Sequence, residues 1–176
     1  MNKMRRLIRL ILLYFKSLAK VLQIFSTFVF MLVFLDIDGV MVPTKSWQQP
    51  PILEDGFYAF SEKAVTALNT LLTEHTTIIL TSSHRNRFSV DEWKSIFLSR
   101  GITCSELLIA PTTASFYNRS EELLNWFQLH QVDSSFLIID DDSSLQDLPN
   151  YLKRNLISPA AMIGLTMDNV LALEKS

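Results

Sequence analysis

One cysteine, four glycines and six prolines in 176 residues leave little material for several common designs. Cys104 has no second cysteine to pair with, so no intramolecular disulfide holds the fold. It also lacks the neighbours of a metal cluster, and it reads as a buried or incidental thiol compatible with a reducing cytosol. No Gly-rich loop precedes a Lys-Ser/Thr pair, which argues against a P-loop kinase. The histidines His75, His84 and His130 are scattered without zinc-type spacing. Trp47, Trp93 and Trp126 stand singly, as core or loop anchors rather than a base-stacking platform. No repeat or low-complexity tract occurs. Hydrophobic residues at 48% and charged residues at 19% describe a chain able to bury a real core in one domain of ordinary size.

Positive charge is scarce beyond residue 30. Residues 1–30 carry Lys3, Arg5, Arg6, Arg9, Lys16 and Lys20 and no acid, leaving 10 basic against 18 acidic residues in the remainder. That acidic body gives no general sign of nucleic-acid binding. At about 100° per helical residue, Arg5, Arg9, Lys16 and Lys20 fall within roughly 60° of one another, with apolar residues nearly everywhere else. This is the pattern of an amphipathic basic helix lying on an anionic membrane surface. A full span is disfavoured, because the uncharged run from Val21 to Leu35 is only 15 residues and burying Lys16 or Lys20 costs about 2.5–3.5 kcal/mol each. A cleaved signal peptide fits poorly, for no small-residue cleavage site follows the apolar run. Two readings weigh equally: an interfacial helix over residues 1–30, giving a cytoplasmic protein with peripheral membrane contact, or a start placed upstream of a domain that begins at Met31. A helix packed on the domain stands third.

The body, 31–176, reads as alternating strands and helices. Leu32–Leu35 is a short apolar run ending in acids, as a buried parallel strand does. Val42 to Phe60, with Pro43, Pro50, Pro51 and Gly56, reads as mostly loop. Ser61 can cap a helix from Glu62 to about Glu74, with Val65, Leu68, Leu71 and Leu72 inward. Thr77–Leu80 is the next strand. Ser89 and Glu92 have capping-box spacing for a helix ending before Gly101. Leu107–Ala110 follows as a strand, then a helix from Asn118 to about Gln131, then the strand Phe136–Ile139, again running into acids. A last strand near Asn155–Ile157 and a helix over Thr166–Glu174 close the chain. Such alternation implies parallel βαβ units in a three-layer, Rossmann-like α/β sheet, whose ligands bind beyond the carboxyl ends of the strands.

The strongest chemical signal is Asp36-Ile37-Asp38-Gly39-Val40. Two carboxylates two apart at a strand end, before a turn-permitting glycine, can divide the work on one substrate. Asp36, on a hard divalent cation, can attack phosphorus, and Asp38 can protonate the leaving oxygen and then activate water. This segment resembles the first motif of phosphatases of the haloacid dehalogenase (HAD) superfamily. Roughly residues 31–170 are most similar to small HAD-like domains associated with RNA-repair proteins. The resemblance implies a second motif, a hydroxyl at the next strand's end, met by Thr81 or, one residue on, by Ser82. Beside them, Arg85 suits either a phosphate clamp or a solvated loop cation, and His84 reads as a loop residue rather than a catalyst.

The third motif of such proteins is a Lys or Arg. No Lys lies between Lys94 and Lys153, so Arg119, 21 residues before the next acidic cluster, takes that place. The fourth is met by Asp140-Asp141-Asp142. Three consecutive acids repel one another unless a cation neutralises at least one, and Mg²⁺ suits a few carboxylates with water and phosphate oxygens. The expected Mg²⁺ ligands are Asp36, Asp38, Asp140 and Asp141, with Asp142 solvated or capping the following turn.

Neither gap between motifs has room for an inserted cap domain. Asp38 to Thr81 spans 43 positions and Thr81 to Arg119 spans 38, both largely filled by elements already placed. An open site suits a phosphate on a large molecule, such as a nucleic-acid end or a phosphoprotein, with 42–60 (Trp47 and Phe57) as a small flap. The competing reading is a catalytically silent HAD-like binding module, against which the intact Asp36 and Asp38 count.

Overall fold

The computed structural model describes residues 30–45, 50–112, 118–132 and 134–173. The basic segment 1–29 and Trp47 lie outside the described residues, so the interfacial-helix reading rests on sequence alone. Among the described residues, no helix is long and apolar enough to cross a membrane.

Five parallel strands form one sheet in the order β3-β2-β1-β4-β5, with β1 Met31–Leu35 at its centre. The others are β2 Thr76–Leu80, β3 Glu106–Ile109, β4 Ser135–Ile139 and the two-residue β5 Leu156–Ile157. Alternate side chains of a strand face opposite sides, and β1 shows the consequence. Val33 and Leu35 join Ile78 and Leu80 in one core, while Phe34 joins Ile79 and Ile138 in another. The first core is covered by α1 Glu62–Leu71, α2 Val90–Ser99 and α5 Met167–Leu173, and the second by α3 Arg119–Leu129, a 3-10 turn over Ser143–Asp147 and the short α4 Asn150–Lys153. The result is the expected three-layer α/β architecture, with no inserted domain among the described residues.

Local chemistry sets the helix ends. Ser89 and Glu92 make the full capping box that opens α2, an arrangement worth about 1 kcal/mol. Asn118 caps α3 through the Glu121 N–H, at 2.9 Å. Ser61 occupies the N-cap of α1 but makes no side-chain cap bond. That helix stops at Leu71 rather than Glu74. Thr73 and Thr76 compete for the backbone there, Thr76 Oγ1 accepting the Thr73 N–H at 2.9 Å and Thr73 Oγ1 the His75 N–H at 3.2 Å. Its buried face is Ala64, Ala67 and Leu68, with Val65, Leu71 and Leu72 at the margin.

The loop expected as a flap is pinned over 52–60. Phe57 is fully buried against Trp93 and Phe88. The Arg100 guanidinium grips both Asp55 carboxylate oxygens, at 2.6 and 3.0 Å, and the carbonyls of Phe57 and Tyr58. Salt-bridging holds the Asp55 carboxyl down at about 2. An aromatic cluster and a bidentate ion pair make this stretch part of the body.

Candidate active site

The central strands end in register. Leu35 of β1 pairs with Leu80 of β2 and with Ile139 of β4, so the next residues, Asp36, Thr81 and Asp140, stand at one level. The main-chain ladder runs one residue past the strands to hold them there. The Asp36 N–H donates to the Ile139 carbonyl at 3.0 Å, the Thr81 N–H to Leu35 at 2.9 Å, and the Asp140 N–H to Ile157 at 3.1 Å. This is where strand order reverses direction around β1, the place where open α/β sheets bind ligands.

Asp36, Asp140 and Asp141 each offer a carboxylate oxygen within 4.8 Å of the others. Burial raises the pKa of all three, and each is raised further by neighbouring acids. Asp140 Oδ1 accepts the Asp142 N–H at 2.9 Å, but its buried Oδ2 has no hydrogen-bond partner. The Arg119 Nε lies 3.1 Å from that oxygen, off the N–H direction, so the contact is one of charge alone. An unsatisfied buried carboxylate oxygen among crowded acids is a donor set that suits a hard divalent cation. Gly39, at φ +71°, makes the crowding possible, because a Cβ there would fall on the Asp141 carboxylate. Asp142 caps the 3-10 turn through the Ser144 N–H, at 2.8 Å, one of the two places expected for it. The Asp38 carboxylate stands outside the acidic trio, its Oδ2 at 2.9 Å from the His84 Nε2.

Arg119, at the first turn of α3, spans the two strand ends. Its Nη2 lies 3.3 Å from Asp36 Oδ1, its Nε faces Asp140, and its Nη1 is 2.6 Å from Glu122 Oε2. Burial works to lower its pKa, but Asp140, Asp36 and Glu122 override that and raise it. The other Glu122 oxygen takes the Nη2 of Arg85. Arg85 is buried, and it donates to the carbonyls of Ala110 (3.0 Å), Thr81 (2.7 Å) and Ser82 (3.0 Å). Its guanidinium therefore ties the ends of β2 and β3 to α3. Neither the exposed loop cation nor the phosphate clamp describes it, since four N–H groups are engaged by protein acceptors. Thr81 and Ser82 are both buried; Ser82 Oγ accepts the His84 N–H at 3.3 Å.

Sequence reasoning overlooked Glu122 and placed His84 among loop residues. A signal for the first existed: Glu122 follows Arg119 by three, the spacing of side-chain neighbours on a helix. No local pattern points His84 at Asp38, 46 positions away.

A five-stranded parallel sheet with acids at the ends of β1 and β4, a hydroxyl at the end of β2 and a cation between them defines a HAD-type α/β domain. The family model for the HAD domain in Swiss Army Knife RNA repair proteins matches residues 32–170, and the chain belongs to that family. It is thus a member of a hydrolase superfamily, and its acidic cluster is compatible with metal binding. No curated protein and no solved structure matches the chain significantly.

Proposed function

We propose that the protein is a magnesium-dependent phosphohydrolase that works through an aspartyl-phosphate on Asp36, acting on a phosphate carried by a large molecule, a nucleic-acid end foremost. The observation that carries this reading is the shared level of Asp36, Thr81 and Asp140 with Arg119 bridging the two acids. In the first step an Asp36 oxygen bonds to phosphorus. The bond from phosphorus to the leaving oxygen breaks, and that oxygen keeps the electron pair and takes a proton from Asp38. In the second, Asp38 takes a proton from water, whose oxygen bonds to phosphorus and releases phosphate from Asp36. Arg119 orients Asp36 and meets the charge on the phosphoryl oxygens. The hydroxyl of Thr81, or of Ser82, holds one of those oxygens.

Asp36, Asp140 and Asp141 would hold the Mg²⁺, with Asp38 the fourth expected ligand. The ion would neutralise the crowded acids and polarise the phosphoryl group. Two observations support a large substrate: no domain is inserted over the site among the described residues, and the family is described by RNA repair. The test is phosphate release from nucleotides, oligonucleotide ends and phosphopeptides, with Mg²⁺ and with EDTA. Mg²⁺-dependent release, fastest from oligonucleotide ends, is expected. Metal-independent release would overturn the mechanism, and no release from any substrate would favour the silent binding module.

A further inference from the structure

We propose that Glu122 is a positioning residue for Arg119, an inference that rests on the phosphohydrolase reading above. Three observations carry it. The short hydrogen bond of the Arg119 guanidinium is not made to the acids it serves. Its Nη1 donates to Glu122 Oε2 at 2.6 Å, whereas Nη2 reaches Asp36 Oδ1 only at 3.3 Å and the Nε contact with Asp140 is one of charge alone. Glu122 is itself held, because its other oxygen accepts from Nη2 of Arg85. Arg85 is anchored in turn, its guanidinium donating to the carbonyls of Thr81 (2.7 Å), Ser82 (3.0 Å) and Ala110 (3.0 Å).

The chemical consequence follows from the shape of a guanidinium. It is a planar fork whose donors point in fixed directions, unlike the point charge of an ammonium. To meet the nucleophile and the phosphoryl oxygens together, that plane has to be set, and a misplacement of about 1 Å can cost on the order of a hundredfold in rate. A contact at 3.3 Å constrains the plane little, while the charge-assisted bond at 2.6 Å fixes one corner of the fork. Through Arg85 that corner is tied to the end of β2, which also carries the Thr81 hydroxyl. The two groups proposed to hold phosphoryl oxygens, Arg119 from α3 and Thr81 from β2, are thus joined by one run of bonds through Glu122 and Arg85.

Two measurements on the parent chain, Glu122→Ala and Glu122→Gln separate this role from a structural one. The first is the nitrogen resonances of the Arg119 side chain in EDTA, identified by their loss in Arg119→Lys. A guanidinium gripped at one corner rotates slowly and its two Nη atoms resonate apart; released, they average to one signal. The second is kcat/KM for phosphate release from phenyl phosphate with Mg²⁺, at a temperature where the amide spectrum shows each variant folded. We expect separate Nη signals in the parent and one averaged signal in Glu122→Ala, with a loss of at least tenfold in kcat/KM. Glu122→Gln fills the same space and keeps one acceptor oxygen, so it should show broadened Nη signals and lose about threefold. If Glu122→Ala does not fold, Glu122→Gln decides by the same two readings. Averaged signals in the parent, signals that stay sharp and apart in the Glu122 variants, or merging without loss of kcat/KM would each overturn the positioning role while leaving the phosphohydrolase reading intact. A parent chain that releases no phosphate would overturn that reading and this role together.

Discussion

At the scale of single residues, the acids that follow β1 and β4 differ in what their removal should do. Burial and mutual repulsion raise the pKa of Asp36 and Asp140. An acid raised above its unfolded value of about 3.9 takes up protons on folding, so its contribution to stability falls as pH climbs from that value through the folded one. Asp36→Asn should therefore melt higher than the parent in EDTA near pH 7.5, and the gap should close by pH 4; calorimetry at the two pH values checks it. The same variant should release no phosphate, and release near the parent rate would end the covalent mechanism. Asp140→Ala should raise the Mg²⁺ concentration needed for half-maximal activity well above that of Asp142→Ala, because Asp142 spends its carboxylate on the Ser144 N–H. Equal Mg²⁺ requirements would put the ligand assignment aside. The acids were legible in sequence because each follows an apolar strand. Arg85 was not, since a cation in a polar loop looks solvated until the ends of β2, β3 and α3 are seen to converge on it.

At the scale of elements, Glu122 ties the start of α3 to the strand ends, with one carboxylate between the buried guanidinium of Arg85 and the half-buried one of Arg119. Removing one partner of a buried ion pair leaves an unpaired charge, at a cost of about 3–5 kcal/mol. Glu122→Ala should lose stability in that range by urea titration. Asp55 offers a pH test of the pinned loop. Its carboxyl is held at about 2 in the folded chain by Arg100 against about 3.9 unfolded. The stability it contributes is fully present above about pH 5 and is lost as pH falls through the folded value of about 2, so Asp55→Asn should destabilise the chain at pH 7 and much less at pH 2. Strand and helix positions were readable from hydrophobic spacing and caps, as Ser89 with Glu92 shows. The 3-10 turn and α4 were not, because four or five residues are too few to display a period.

At the scale of the whole molecule, the site is assembled from strand ends across the centre of the sheet, so cation binding and folding are linked. A divalent ion that binds the folded chain alone, at 100 times its dissociation constant, stabilises by about 2.7 kcal/mol, which is roughly 5–10 °C for a domain of this size. Mg²⁺ should raise the melting temperature of the parent and leave Asp140→Ala nearly unmoved. The first thirty residues hold none of the proposed site, and a chain starting at Met31 should fold and keep its activity. If the basic stripe of Arg5, Arg9, Lys16 and Lys20 is interfacial, the full chain should sediment with anionic vesicles at low salt and release them at high salt. Full-length protein that ignores vesicles would remove the membrane reading.

Gly39 has a consequence for how this sequence can drift. At most glycines with positive φ, an asparagine is a tolerable neighbour in sequence space, since backbone geometry is the only obstacle. Here the obstacle is also the carboxylate of a residue 102 positions away. Any side chain at position 39 must push the Asp141 carboxylate off the place it holds beside Asp36 and Asp140, so the two positions are inherited as a pair: a substitution at 39 takes the acid at 141 out of the cluster.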